Sequence, residues 1–280
     1  MITPLWPHSA ALLETQKTRV IVVADLHIGW EMALSEKGIF VPTQTSKLLS
    51  KLTSLILEYK PEKLLILGDV KHTVAKTEMR EWQDVPKFFS EVKKQVPEIC
   101  VIRGNHDGNL EPLLPEGVEI LPSTGAIIGD VGFFHGHQWL SSTLLKCKTL
   151  VMGHVHPVVA LRDSVGFRMI RQVWVRADCD GEKLAASLLQ KHKIKIETNA
   201  AAAFRKRHRI TPKSSKLFIM PSFNDFLGGK PLNETKCRYA GSGTINGPVL
   251  RSEAVDMKHA ELYLLDGTFL GVLSQLENFS

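Results

Sequence analysis

Residues 19–27 read RVIVVADLH, an apolar β-branched run that breaks directly into an aspartate and a histidine. Val and Ile in such a run suit a pleated strand covered on both faces. The same form returns twice. Residues 63–69, KLLILGD, and 99–107, ICVIRGNHD, again pass from apolar residues into side chains able to ligate a metal. Between these runs Leu48, Leu49, Leu52, Leu55 and Ile56 recur at helical spacing within 44–59, with Pro61 beyond, and 79–96 reads as a second helix. Strand, polar tip, helix, strand, polar tip is the alternation of an α/β fold with a partly parallel sheet. Sheets of that kind gather ligands outside the carboxyl ends of their strands.

Beyond Asp107 the pattern changes to short β-rich runs at 118–121, 126–128, 131–134, 149–152, 158–161 and 167–175, separated by Gly, Pro or Asp. A second sheet is expected. Two of these runs end on histidines, His135-Gly136-His137 and His154-Val155-His156. Residues 217–220, 261–265 and 268–273 read as strands that return to a sheet, with Asp266-Gly267 as a hairpin turn.

Composition narrows the class. The chain has 280 residues, 44% of them hydrophobic and 23% charged, enough to bury a large core without disulfides. No apolar run has the length of a membrane span, and the opening MITPLWPHSAALLE lacks a basic segment followed by a long apolar one. A cytoplasmic protein without a membrane partner is the expectation. Cys100, Cys147, Cys179 and Cys237 form no CxxC pair and read as reduced thiols, Cys100 in the core. The formal charge is +6, yet residues 191–216 hold nine Lys/Arg and one acid, so the rest of the chain is slightly acidic. That stretch is either a nucleic-acid contact, for DNA or RNA, or a solvated surface segment. It is expected to be mobile and peripheral, because Phe204 is its one large aromatic.

Five strand ends thus carry Asp25 and His27; Asp69; Asn105, His106 and Asp107; His135; and His154 with His156. One such tip would be a cap or a turn. Five of them mix carboxylate, imidazole and amide in a set that suits first-row cations and lacks the thiolates of a structural zinc site. In extended chain, residues i and i+2 point the same way, so Asp25 and His27 can share one ion. The same offset can send His154 and His156 to neighbouring ions, with Asp69 as the bridge. Two ions roughly 3.5–4 Å apart would clamp a phosphate and activate a shared water.

DLH at 25, GD at 68, GNHD at 104, HGH at 135 and GHVH at 153 resemble the ordered motif set of the calcineurin-like metallophosphoesterases. ADLHIGWEMALSEKGIFVP, GDVKH, MGHVHP, IMPSFNDFLGGKPLN and LLDGTFLG resemble, more narrowly, the archaeal branch of SbcD-related phosphoesterases, over nearly the whole chain. The departure is at about 180–216, which reads as an insertion in a single domain spanning 1–280, with 217–280 returning to the core. The resemblance implies a four-layer sandwich, two mixed sheets flanked by helices. It implies that Asp25, His27, Asp69 and His156 hold one metal and Asp69, Asn105, His135 and His154 the other. Manganese is the expected metal, with iron, zinc and cobalt as alternatives. His106 would stabilise the transition state or protonate the leaving oxygen, and Asp107 would orient local hydrogen bonds.

The remaining residues take lesser roles. His137 divides between a phosphate contact and a structural role, and His72 reads as a turn residue. Arg103 reads as half of a local salt bridge, and Asn224 lies in a segment that returns near the active rim without ligating. Gly241 to Gly247 lacks the Lys-Ser/Thr pair of a phosphate loop, and no GxSxG elbow is present. The expected activity is phosphodiester hydrolysis by a metal-bridging hydroxide, on nucleic acid first. A small-molecule phosphodiesterase or phosphatase is the alternative, followed by a non-catalytic docking subunit of a helicase or repair assembly.

Overall fold

The computed structural model describes residues 2–74, 77–163, 165–194, 196, 199–234 and 247–276. Cys237 and residues 241–246 lie outside them. One sheet has the order β1 (Ile2–Pro4), β2 (Ala10–Glu14), β3 (Arg19–Val23), β4 (Lys63–Ile66), β5 (Glu98–Ile102) and β6 (Val118–Leu121). Strands β3 to β6 are parallel. The short α1 (Met32–Ser35) and then α2 (Thr45–Tyr59) connect β3 to β4, and α3 (Met79–Lys93) connects β4 to β5.

Alternation along each strand sets the layers. Ile21, Val23, Leu64 and Ile66 pack with Leu48, Leu52, Leu55 and Ile56 of α2 and with Val85, Phe88, Phe89 and Val92 of α3. Val20, Val22, Leu65 and Cys100 face the other way and meet Val131, Phe133, Val151 and Trp174 from the second sheet. Both faces of β3 are therefore apolar, as its sequence requires. Each fully buried aliphatic side chain there stabilises by about 1.5–3 kcal/mol.

The second sheet contains β7 (Ala126–Ile128), β8 (Val131–Phe134), β9 (Thr149–Met152), β10 (Val158–Arg162), β11 (Arg168–Cys179), β12 (Lys216–Ile219), β13 (Val255–Leu264) and β14 (Phe269–Val272). Its order is β14-β13-β11-β12-β9-β8-β7, and β10 pairs with β11 outside that path. Strands β8, β9 and β12 are parallel, so their carboxyl ends lie together. The outer face is covered by α4 (Gly181–Lys191), α5 (Ala200–His208) and α6 (Pro248–Arg251), with α7 (Leu273–Leu276) against β13 and β14. Helices, sheet, sheet and helices make four layers, as expected. No helix among the described residues is long and apolar enough to cross a membrane.

One expectation fails. Residues 180–216 were read as a peripheral insertion, yet α4 buries Leu184, Ala185, Leu188 and Leu189 and α5 buries Phe204 in the core cluster of the second sheet. Charge counting concealed this, because the lysines and arginines occupy the opposite faces of helices whose other side is apolar. Strands β1 and β2 were not anticipated either, although Ala11 and Leu13 lie between the sheets. Smaller differences concern length, for β11 and β13 run longer than the sequence suggested. Cys100, Cys147 and Cys179 are buried and free.

Candidate metal centre

The strand tips reach one rim because of how their backbones turn. Asp25, His27, Asp69, His154 and His156 all have positive φ, 58°, 43°, 52°, 71° and 46°. Non-glycine residues rarely adopt this left-handed conformation, and where they do the strain is held by surrounding structure, commonly at functional sites. Asp25 and His27 are thus brought together by two left-handed turns, and the extended geometry assumed from their spacing is absent. Gly68 and Gly104 allow the closest approach: a Cβ on Gly104 would lie 2.2 Å from Asp69 Oδ1, and one on Gly68 would lie 2.5 Å from His135 Nδ1.

All seven sequence-derived ligand candidates converge there with His106. Asp25, His27 and His156 form one group whose ligand atoms lie within 4.8 Å of one another, and Asp69, His135 and His154 form a second. Asp69 Oδ2 is 3.4 Å from His27 Nε2, 3.4 Å from His135 Nε2 and 3.9 Å from His106 Nε2, so it stands between the two groups. Asn105 Oδ1 is 3.1 Å from His135 Nε2. Asp25 Oδ1 is 3.6 Å from His156 Nε2 and 3.7 Å from His135 Nδ1, while the Asp25 carboxylate also accepts the His154 backbone N–H at 3.0 Å.

The donor set fits divalent cations. The Nε2 atoms of His27 and His156 are buried without a hydrogen-bond partner, a costly state that a cation would relieve. His135 Nδ1 donates to the Leu67 carbonyl at 2.6 Å, and its Nε2 faces the oxygens of Asp69 at 3.4 Å and Asn105 at 3.1 Å. That second hydrogen bond is the usual way a metal-ligating imidazole is oriented. Without a cation the charges redistribute. Burial alone would lower the pKa of His135, but the carboxylates of Asp69 and Asp25 outweigh it and lift it to about 9. Burial would raise Asp69 and Asp25, yet neighbouring imidazoles hold both below the usual carboxylate range. Burial lowers His27 to about 3 and His154 to about 4.

Several supporting residues are now placed. Asp107 is fully buried and accepts N–H bonds from Asp69, Val70 and Gly104, each at 2.8 Å. His106 donates from Nδ1 to the His72 carbonyl, and its own N–H donates to Asp69 Oδ1 at 2.9 Å. His72, read as a turn residue, joins the cluster: its Nδ1 is 3.2 Å from His27 Nδ1, and His27, His72 and His106 make a third group of the same kind. His137 lies beside His135, the rings 5.2 Å apart and tilted by 57°, with its Nδ1 buried and unpartnered. Arg103 pairs with Glu111. Asn224 Nδ2 donates to the Leu26 carbonyl at 2.9 Å and Ser222 Oγ to the Asp25 carbonyl at 2.8 Å, so that segment braces the rim.

Sequence reading missed Glu81 and Lys71. Glu81 is buried on α3 and accepts N–H bonds from His72 at 2.9 Å and Thr73 at 2.7 Å, fixing the loop that carries His72. Lys71 is buried beside it and donates to the Thr73 carbonyl. The one available signal was two charged residues at positions the fold must cover. The basic residues Arg205, Lys206, Arg207 and Arg209 are exposed, but they cluster at the end of α5. From there the chain runs to the start of β12, the end of that strand away from the rim.

A family model described as Calcineurin-like phosphoesterase matches residues 18–196, which include every strand tip of the centre. The fold is similar to that of the nuclease MPE of Pseudomonas putida, at 20% identity over 95% of this chain and 98% of that one, with a TM-score of 0.51. Yfce, a phosphoesterase from E. coli, matches at 21% identity over 52% of this chain and 74% of its own, with a TM-score of 0.33. No curated protein matches by sequence.

Proposed function

The chain belongs to the calcineurin-like phosphoesterase family and is a metal-dependent phosphoric ester hydrolase, and from that premise we propose that it cleaves phosphodiesters, nucleic acid first, at a dinuclear centre. The observation that carries this reading is the pair of ligand groups joined at Asp69, whose Oδ2 faces an imidazole of each, with two orphaned imidazole nitrogens in the first group. Asp25, His27, Asp69 and His156 would hold one ion, and Asp69, Asn105, His135 and His154 the other. Two divalent cations, manganese first and iron, zinc or cobalt otherwise, would neutralise phosphoryl oxygens and lower the pKa of a shared water. Asp69 fixes the spacing of the two halves, and Asp107 fixes Asp69 through its backbone. His106, oriented by the His72 carbonyl, turns Nε2 towards Asp69; protonated, that atom can donate to the departing oxygen.

Nucleic acid is favoured by the SbcD-like sequence IMPSFNDFLGGKPLN, whose Ser222 and Asn224 brace the rim, and by a nuclease that shares the fold. A small-molecule phosphodiesterase or phosphatase is the second reading, favoured by the way the basic end of α5 leads into the end of β12 opposite the rim. The deciding experiment is turnover of the metal-reconstituted protein on bis-p-nitrophenyl phosphate, p-nitrophenyl phosphate, single- and double-stranded DNA, and cyclic nucleotides. Cleavage of DNA and of the diester supports the first reading. Activity confined to the small esters transfers it to the second, and no turnover with two ions bound overturns both.

A further inference from the structure

Strand β10 lies outside the main path of the second sheet and forms a hairpin with the first five residues of β11. Its direction follows from register. Val175 of β11 lies opposite Ile219, the last residue of β12, and β11 runs antiparallel to β12. Residues 168–172 therefore continue past the carboxyl ends of β12 and β9, on the side where the metal-binding tips lie. There they pair with β10 from Val158–Gln172 to Arg162–Arg168. Five residue pairs make a ribbon about 16 Å long. It begins two residues after His156.

The ribbon is braced at its middle and at its tip. Asn233 clasps Ala160, accepting its N–H at 2.9 Å and donating to its carbonyl at 2.8 Å, and the same side chain donates to the Leu276 carbonyl at 3.2 Å. At the tip Asp163 Oδ1 accepts N–H bonds from Val165 at 2.9 Å and Phe167 at 2.8 Å. What this braced ribbon displays is unusual for solvent. Val165 is 90% exposed and Phe167 66%, both in the turn beyond the Arg162–Arg168 pair. Arg162 is paired directly with Arg168, and like charges opposite each other destabilise an antiparallel pair. Glu234 compensates Arg168 through a bond to its Nη2 at 2.5 Å, but Arg162 and Arg171 have no carboxylate partner among the described residues.

We propose that this hairpin is a nucleic-acid wedge. Its arginines meet backbone phosphates, while Val165 and Phe167 insert between bases where a duplex opens into single strands, so that one freed strand is delivered to the metal centre at the hairpin's base. Apolar side chains wedged between base steps and cations along the backbone are the two halves of this recognition chemistry. The inference rests on the nucleic-acid reading above and names its substrate, a junction between paired and unpaired strands.

The test compares the wild type with a V165S/F167S double variant, both residues being exposed and without a core role. Binding is read in EDTA, where nothing is cut, from a 2-aminopurine placed at the junction of a forked DNA. The wild type should unstack the probe and raise its fluorescence, and the double variant should not. Cleavage is then measured on the fork and on an unstructured single strand, each normalised to the same protein's hydrolysis of bis-p-nitrophenyl phosphate. Losing the inserted side chains should cost about five- to a hundredfold on the fork and less than about twofold on the single strand. An R162Q/R171Q variant should flatten the salt dependence of fork binding by about 0.7–0.9 log units per lost phosphate contact. A double variant that cuts and unstacks the fork as the wild type does, or that loses equally on both DNAs, overturns the wedge alone. A wild type that cuts no DNA removes the nucleic-acid reading with it.

Discussion

The carboxylate of Asp107 accepts the backbone N–H of Asp69 at 2.8 Å, joining two buried residues 38 positions apart in the chain. Its other bonds reach Val70 and Gly104, so one side chain ties the tip of β4 to the tip of β5. Burial and the nearby Asp69 charge push the Asp107 pKa up to about 6, against the pull of those N–H donors. The position proposed to bridge the two ions is thus held from behind by a residue outside the candidate ligand groups.

Asp69→Asn should therefore weaken both ions together, because Asp69 Oδ2 faces both imidazole groups. Turnover should fall by more than the roughly 10–100-fold typical of losing an orienting partner of a metal ligand. Metal analysis of the purified variant checks it, and two ions per chain with normal turnover would refute the bridge.

His106→Ala should keep both metals and lower turnover by about 10²–10⁴-fold. The loss should shrink for p-nitrophenyl esters, whose leaving group needs little protonation. Equal losses on p-nitrophenyl and alkyl diesters would mean that His106 positions the phosphoryl group.

Gly104→Ala places a methyl group 2.2 Å from Asp69 Oδ1 and 2.3 Å from the Asp69 nitrogen. Neither atom can withdraw without moving the bridge, so the cost should reach or exceed the about 1–3 kcal/mol of ordinary overpacking. Denaturant titration measures it, and metal content should fall in parallel. A variant with wild-type stability and two bound ions would show that the tip is looser than its contacts indicate.

Acid should destabilise the metal-free protein. Burial holds His27 at about 3, and burial with the neighbouring His135 charge holds His137 and His154 at about 4. Unfolded imidazoles take up protons near 6.5, so the unfolded chain binds more of them and stability falls as pH drops from about 6.5 towards 4. His135 acts in the opposite sense: raised to about 9, it stabilises below 6.5 and loses that contribution as pH climbs through 9. Melting temperatures in EDTA should fall on the acid side of 6.5, and a flat profile down to pH 4.5 would contradict the burial of these rings.

Phe204→Ala should destabilise by about 3–5 kcal/mol, the usual cost of truncating a buried aromatic. A peripheral, solvated stretch would tolerate the change with no measurable shift in Tm. Chemical denaturation separates the two outcomes, and a neutral result would detach α5 from the core it occupies.

The alternation around residues 19–107 was legible because each strand is apolar on both faces and ends in a polar tip. The ligand candidates were legible for the same reason: strand ends in a parallel sheet share a rim whatever turns follow. The turns were not, since nothing in DLH or HVH announces a left-handed backbone at an Asp or a His. Glu81 escaped because a carboxylate on an amphipathic helix looks solvated until the loop it receives is folded over it. The helices within 181–208 were concealed by net charge, although Asp180 caps α4 through N–H bonds from Glu182 at 2.9 Å and Lys183 at 3.0 Å, and Leu184, Ala185, Leu188 and Leu189 follow at helical spacing.

Asn233 also links places that the chain keeps far apart. By holding the carbonyls of Ala160 and Leu276 with one amide nitrogen, it couples the projecting ribbon to the last described helix. A fusion partner or affinity tag attached beyond α7 would therefore load the same side chain that steadies the ribbon. Tag position becomes an experimental variable: activity on large substrates should be compared between amino- and carboxyl-terminal tags before any mutation on the ribbon is interpreted.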